Sequence, residues 1–182
     1  MTEAIVLAAG YASRMQTNKM LLMINEKPII TRTVENVLPF VKHVFVVTGH
    51  YHESIAEIFD KTDKVTVIYN PNYALGMFNS IKAGVIKTSG NILIIPGDMP
   101  LIKPQTYELI LNQKGLIRVP TYQGVKGHPI YLDSALKAAL IKSDLPHLKA
   151  FRDSHKVTYF PVSDAAILKD IDTPEDFHSI NQ

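Results

Sequence analysis

Three stretches of this chain combine residue types that can handle phosphate and metal. The first is Leu7-Ala8-Ala9-Gly10-Tyr11-Ala12-Ser13-Arg14-Met15, followed by Asn18-Lys19. Small residues and a glycine after an apolar run let backbone N–H groups curl around an anion. Arg14 offers a fork of donors to phosphate oxygens and Lys19 a point charge, a combination suited to a nucleoside triphosphate. The stretch lacks the second and third glycines of a dinucleotide fingerprint, and no Gly-Lys-Ser/Thr follows as in a Walker A loop. It also reads as a tight turn carrying two solvated cations. The second stretch, Ile94-Ile95-Pro96-Gly97-Asp98-Met99-Pro100, sets one carboxylate just past a strongly apolar run. Mg²⁺ commonly takes one or two carboxylates and completes its shell with water and substrate phosphate. The competing reading of Asp98 is a turn residue capping its own backbone. In the third stretch, Lys169-Asp170-Ile171-Asp172-Thr173-Pro174-Glu175-Asp176, the carboxylates of Asp170 and Asp172 point the same way if the chain is extended. Either could supply a second metal ligand, while Thr173 to Asp176 also makes a good helix start.

Two further segments have chemistry to offer. Leu75-Gly76-Met77-Phe78-Asn79-Ser80 precedes a helical pattern, and its glycine and polar groups could meet a base or ribose. Gly124-Val125-Lys126-Gly127-His128-Pro129 holds a histidine between Gly and Pro, placed either to touch a substrate or to close a turn. His50 and His52 have no third ligand type nearby and read as loop, not zinc.

The elements that must position these groups follow from hydrophobic periodicity. Buried-strand runs are expected at Ala4–Ala8, Val44–Val47, Lys64–Tyr69, Ile92–Ile95 and Gly115–Val119. Helices are expected at Ile29–Pro39 with Pro28 in the first turn, and at His52–Phe59, Asn79–Lys87, Pro104–Leu111, Ala135–Lys142 and Pro174–Ile180. Ile130–Leu132 and Val157–Pro161 read as added strands of antiparallel sense. Continuous Val/Ile/Leu strands alternating with helices predict an α/β fold, Rossmann-like, with a mostly parallel central sheet in three α/β/α layers. An antiparallel addition is expected in the C-terminal half. Ligands of such sheets sit beyond the carboxyl ends of the strands, where each segment with unusual chemistry falls.

Composition narrows the function classes. The 182 residues suit a single domain, with no linker or repeat. The net charge of +2 is interspersed, which argues against a nucleic-acid surface. There is no cysteine, hence no disulfide, thiolate site or cysteine nucleophile. Met1 to Leu7 lacks a charged leader, and no apolar run reaches the roughly 18 residues of a membrane span. The expectation is a cytoplasmic enzyme with no membrane partner.

Taken together, the motifs resemble the molybdenum cofactor nucleotidyltransferases, most closely the CTP:molybdopterin cytidylyltransferase branch. The matching pieces are Leu7-Ala8-Ala9-Gly10, Ser13-Arg14-Met15, Lys19, Gly76-Met77, Ser80-Ile81, Gly97-Asp98-Met99-Pro100, Gly127-His128-Pro129 and Asp170 to Asp176. The first and third motifs are shared with sugar-phosphate and methylerythritol-phosphate nucleotidyltransferases, while the Gly-Met, Gly-His-Pro and C-terminal pieces narrow the likeness. Ala9 stands where guanylyl relatives tend to carry a second glycine, so the resemblance favours CTP over GTP. Departures include Ala12, Gln16 and Phe78, and a Gly-Asp-x-Gly-Ala-Arg stretch replaced here by Lys142 to Lys149.

The resemblance implies CMP transfer from CTP to molybdopterin, with Mg²⁺ as cofactor and pyrophosphate as product. Arg14, Lys19 and Asp98 would be catalytic. Leu7, Ala8, Ala9, Gly10, Ser13, Arg14, Lys19, Gly76, Met77 and Ser80 would bind the nucleotide. Asp98 and Asp172 would hold the metal, and His128 and Asp170 would meet the acceptor. A molybdoenzyme or its chaperone is the implied protein partner. The alternatives are transfer to a sugar or polyol phosphate, and a non-catalytic carrier of a pterin cofactor.

Overall fold

Alternation within single strands sets the architecture of the computed structural model, which describes residues 1–10 and 18–171. In β1 (Thr2–Ala8), the side chains of Ala4, Val6 and Ala8 enter one buried cluster and those of Ile5 and Leu7 enter another. The sheet therefore has two apolar faces, and both must be covered. The first is covered by α1 (Ile29–Val37), through Ile30, Val34 and Val37. Beside it lie α2 (His52–Phe59), through Ile55 and Phe59, and α4 (Pro104–Asn112), through Tyr107 and Ile110. The opposite face is covered by α3 (Met77–Lys87), through Phe78, Ile81 and Val85. Two short helices, α5 (Lys137–Lys142) and α6 (Leu148–Asp153), add Leu140 and Phe151 to that layer. The expected three-layer α/β/α arrangement is what the chain forms.

The remaining strands are β2 (Met23–Ile24), β3 (Lys27–Pro28), β4 (Val44–Thr48), β5 (Val65–Tyr69), β6 (Asn91–Pro96), β7 (Ile117–Tyr122), β8 (Val125–Lys126), β9 (Ile130–Leu132) and β10 (Val157–Pro161). Eight strands form one sheet in the order β10-β7-β9-β6-β1-β4-β5, with β8 paired to β7. β6, β1, β4 and β5 are mutually parallel. β9 pairs antiparallel with both β6 and β7, as expected, but β10 pairs parallel with β7 and corrects the sense anticipated for Val157–Pro161. Inserting one reversed strand restores the original direction beyond it, so β7 and β10 run with β6. It also brings the entry of β9, where Ile130 sits opposite Ile94, to the edge at which β6 ends.

The other expected elements stand with small shifts. α3 begins two residues earlier than its pattern, and β7 runs from Ile117 to Tyr122 where Gly115–Val119 was expected. β2 and β3 pair in a small hairpin turned by Asn25 and Glu26, both at positive φ. That hairpin and α6 were not anticipated. The expected helix Pro174–Ile180, with its Thr173 cap and Glu175 and Asp176, lies outside the described residues. Among the described residues, no helix is long and apolar enough to cross a membrane.

Candidate active site

β6 delivers Asp98 to the edge of the sheet through a turn that is pinned from three directions. The Gly97 N–H donates to the Leu7 carbonyl at 2.9 Å, tying the turn to β1. The Thr33 hydroxyl of α1 donates to the Gly97 carbonyl at 2.8 Å, and the Asn36 amide donates to the Pro100 carbonyl at 2.6 Å. The Ile171 N–H donates to the Asp98 carbonyl at 3.0 Å, so Ile171 is held to the same turn. Ile171 is anchored in its own small cluster with Ile24 and Ile29. The β2–β3 hairpin, through Ile24, thus gives Ile171 an apolar seat. Glycine at 97 is demanded by space, because a Cβ there would lie 2.8 Å from both the Leu7 oxygen and the Ile30 Cδ1.

The Asp98 side chain is 12% exposed. Its Oδ2 accepts from the Lys19 ammonium at 2.5 Å, while Oδ1 is buried with no hydrogen-bond partner. Lys19 opens a short 3-10 turn, Lys19–Leu21, whose start is capped by Asn18 accepting from the Met20 N–H at 3.2 Å. The capping explains why Asn18 precedes the lysine: it fixes the turn that aims Lys19 at β6.

Two clefts meet at this ion pair. The first, of about 350 Å³, has walls from Leu7 in β1, from Ala9 and Gly10 just after it, and from Gly76, Met77 and Ser80 at the start of α3. Gly76 enters α3 at φ 100, a conformation only glycine adopts freely. The second cleft, of about 560 Å³, is lined by Val125 to His128, by Ile167 and Leu168, and by Asp170. Lys19, Met77, Pro96 and Asp98 line both.

Most of the residues singled out from sequence are thus brought together. Ala8 is an exception, since its side chain lies in the core cluster beneath α1. Ser13, Arg14 and Asp172 lie outside the described residues. Sequence reasoning missed Tyr73 and Ala74 in the first cleft and Ile167 and Leu168 in the second. The only signal for Tyr73 and Ala74 was their place just past the carboxyl end of β5. Ile167 and Leu168 sit on a 3-10 turn, Ala165–Leu168, that carried no motif. That turn is held by buried Asp164, which accepts from the Lys103 N–H at 2.9 Å, the Thr106 hydroxyl at 2.7 Å and the Ala166 N–H at 3.1 Å.

His128 reaches the second cleft because β9 runs backwards. Its N–H donates to the Ile167 carbonyl at 3.0 Å, its peptide bond to Pro129 is cis, and its ring Nδ1 is buried without a partner. Burial lowers the imidazole pKa to about 4, against a hydrogen bond with the Ile94 backbone that favours the charged form; the nearby Arg152 charge adds to the lowering and Asp170 opposes it. The ring is neutral at pH 7. Lys126, beside it, is set over the Tyr159 ring with its ammonium 4.5 Å from the centroid. The arrangement offers a partly buried cation–carboxylate pair at the junction of two differently lined clefts, the layout required to bring two bound molecules into reaction.

Comparison with known proteins accounts for this layout. The chain is 31% identical over 183 residues to the molybdenum cofactor cytidylyltransferase of Escherichia coli K12, covering 96% of this chain and 93% of that one. Its fold superposes on a nucleotidyl transferase from Methanothermobacter with a TM-score of 0.86 at 24% identity, covering 100% and 96% of the two chains. A Mycobacterium tuberculosis H37Rv protein solved in complex with manganese has the same fold, with a TM-score of 0.77 at 21% identity over 98% and 97% of the chains. Residues 4–157 match the MobA-like NTP transferase domain. The chain therefore belongs to the MobA-like NTP transferase family and is an enzyme of the nucleotidyltransferase type.

Proposed function

We propose that this enzyme, acting as one domain over residues 1–182, transfers CMP from CTP to the phosphate of molybdopterin and releases pyrophosphate. The observation that carries the reading is the meeting of the two clefts along Lys19, Met77, Pro96 and Asp98. The nucleotide is assigned to the first cleft, with Leu7, Ala9, Gly10, Gly76, Met77 and Ser80 around it. The acceptor is assigned to the second, with His128 and Asp170. In the transfer, an acceptor phosphate oxygen attacks the α-phosphorus in line, the bond to the bridging oxygen of the β-phosphate breaks, and pyrophosphate departs with that electron pair. Such chemistry asks for positioning and charge neutralisation more than for covalent help. Lys19 and Arg14 hold the triphosphate and stabilise the leaving pyrophosphate, and neutral His128 offers the acceptor a hydrogen bond without adding charge.

The site suits a divalent ion. The buried, unpartnered Oδ1 of Asp98 is the state of a carboxylate oxygen kept for a cation. Among the described residues, no group of three or more His, Asp or Glu side chains could hold a metal by itself, so the shell would be completed by Asp172 and substrate phosphates. Mg²⁺ held by Asp98 and Asp172 would neutralise phosphate charge. The manganese complex of the mycobacterial structure supports a divalent ion in this fold. The name of the Escherichia coli relative, together with Ala9, supports CTP and the molybdenum cofactor.

The test is mass spectrometry of products, with pyrophosphate release, from each of the four NTPs with Mg²⁺ and with or without molybdopterin. A cytidylylated pterin formed only with CTP is expected. Turnover only with a sugar or polyol phosphate in place of the pterin would overturn the acceptor.

A further inference from the structure

Ser80 lies on the wall of the first cleft, 2% exposed, one turn into α3. Its hydroxyl oxygen accepts from the side-chain amide of Asn70 at 3.0 Å. Asn70 is itself only 3% exposed and sits just past β5. The orientation of its amide is settled by its other partner. The Asn70 Oδ1 accepts from the Asn72 N–H at 3.0 Å, and a backbone N–H can only donate. The opposite end of the amide must therefore be the NH₂ group, and Ser80 must be the acceptor in that pair. The Asn70 main chain is equally committed, donating to the Thr48 carbonyl at 3.0 Å and accepting from the Tyr73 N–H at 3.2 Å. Asn70 cannot turn over without losing the loop that carries Tyr73 along the same cleft.

Closing its own turn through Oδ1 explains an asparagine or an aspartate equally well. It does not explain the NH₂ group directed at Ser80. A serine hydroxyl has one proton and two lone pairs. With a lone pair engaged by Asn70, its proton is left to point elsewhere. Ser80 makes no side-chain bond to the α3 backbone, where helical serines often dispose of that proton.

We infer that Asn70 is a positioning residue that fixes Ser80 as a hydrogen-bond donor into the nucleotide cleft. It follows that Ser80 gives its proton to an acceptor atom of the nucleotide, such as a phosphate, ribose or base carbonyl oxygen. This rests on the assignment of the first cleft to the NTP.

Asn70→Asp tests it with little change of shape. The aspartate keeps the bond from the Asn72 N–H but can only accept, so it takes the Ser80 proton and turns the donor away from the cleft. The measurement is NTP affinity with Mg²⁺, by calorimetry, for the unaltered protein, N70D, S80A and the double variant, with melting temperatures alongside. N70D and S80A are each expected to weaken the NTP about tenfold, the worth of one hydrogen bond. The double variant should be no weaker than S80A alone, because Asn70 acts only through Ser80. In turnover the change should fall on the KM for NTP, leaving that of the acceptor unmoved. N70D binding NTP as tightly as the unaltered protein would overturn the inference, as would losses in N70D and S80A that multiply in the double variant. If N70D does not fold, N70A decides the matter in the same way, since its effect must vanish in the S80A background. Failure of the unaltered protein to bind any NTP would instead remove the cleft assignment, and the donor role with it.

Discussion

Replacing Asp98 by Asn separates the chemistry of the site from its architecture. The two side chains have the same shape, so the turn held by Leu7, Thr33, Asn36 and Ile171 has no reason to move. The asparagine carbonyl can still accept from Lys19, which now donates to Oδ2 at 2.5 Å. What is lost is the charge of that hydrogen bond. What is gained is removal of the desolvation cost of a buried charge, the amide NH₂ taking the place of the unpartnered Oδ1. Each effect is worth about 1–3 kcal/mol and they oppose one another. The net change in stability should be within about 1 kcal/mol, or about 2–4 °C in melting temperature for a chain of this size. Activity should respond on another scale. On its proposed role as a ligand of the divalent ion, losing the carboxylate charge costs about 3–4 kcal/mol of transition-state stabilisation, or roughly 100- to 1000-fold in turnover. The assay is pyrophosphate release under single-turnover conditions across a Mg²⁺ titration, paired with a thermal melt of the same sample. A folded D98N protein turning over within about threefold of the unaltered enzyme, with the same Mg²⁺ dependence, would refute the metal role of Asp98.

Two other perturbations test the frame around it. His128 titrates near 4 in the folded chain against an ordinary 6.5, so the unfolded chain takes up a proton that the folded one refuses. This contribution is whole above about pH 6.5 and is lost as pH falls toward 4, amounting to roughly 3 kcal/mol; urea melts at pH 7 and pH 5 should differ, and His128→Asn should flatten that difference. A Cβ at position 97 would meet the Leu7 oxygen at 2.8 Å and the Met20 sulfur at 3.1 Å. Gly97→Ala should therefore destabilise by about 1–3 kcal/mol in a denaturant melt and lower turnover by displacing Asp98; an unchanged urea midpoint would show that the turn has slack.

The parallel core was legible because its strands carry the plainest signal a sequence offers. Ile92 to Ile95 is apolar at every position, and in the fold Ile92 and Ile94 face one layer while Leu93 and Ile95 face the other. The gathering of the candidate site was legible for a related reason, since glycines, a lone carboxylate and a lysine after such strands collect at one sheet edge. What escaped was whatever depends on partners distant in sequence. The β2–β3 hairpin has two-residue strands, too short for alternation, and its turn residues Asn25 and Glu26 take positive φ without a glycine. α6 is capped by His147, whose ring Nδ1 accepts from the Ala150 N–H at 2.9 Å, a capping residue outside the usual Ser, Thr, Asp and Asn. The sense of β10 was misjudged because direction in a sheet depends on the neighbour, and β7 was restored to the parallel direction by the reversed β9. Asn70 looked like punctuation after a strand, and its bond to Ser80 exists only once α3 has packed against β1 and β4.

Reversing β9 also makes the molecule modular. Among the described residues, the wall of the first cleft draws on nothing beyond Asp98, whereas Val125 to His128 reach the second cleft on the hairpin and return strand that follow β7. That excursion is one contiguous cassette, entered and left on the far side of β6. On the proposed assignment of the clefts, a lineage can exchange the cassette to reshape the acceptor wall that faces Ile167, Leu168 and Asp170 while keeping the nucleotide cleft. One scaffold of this kind can found a set of enzymes that share a donor and diverge in what they decorate.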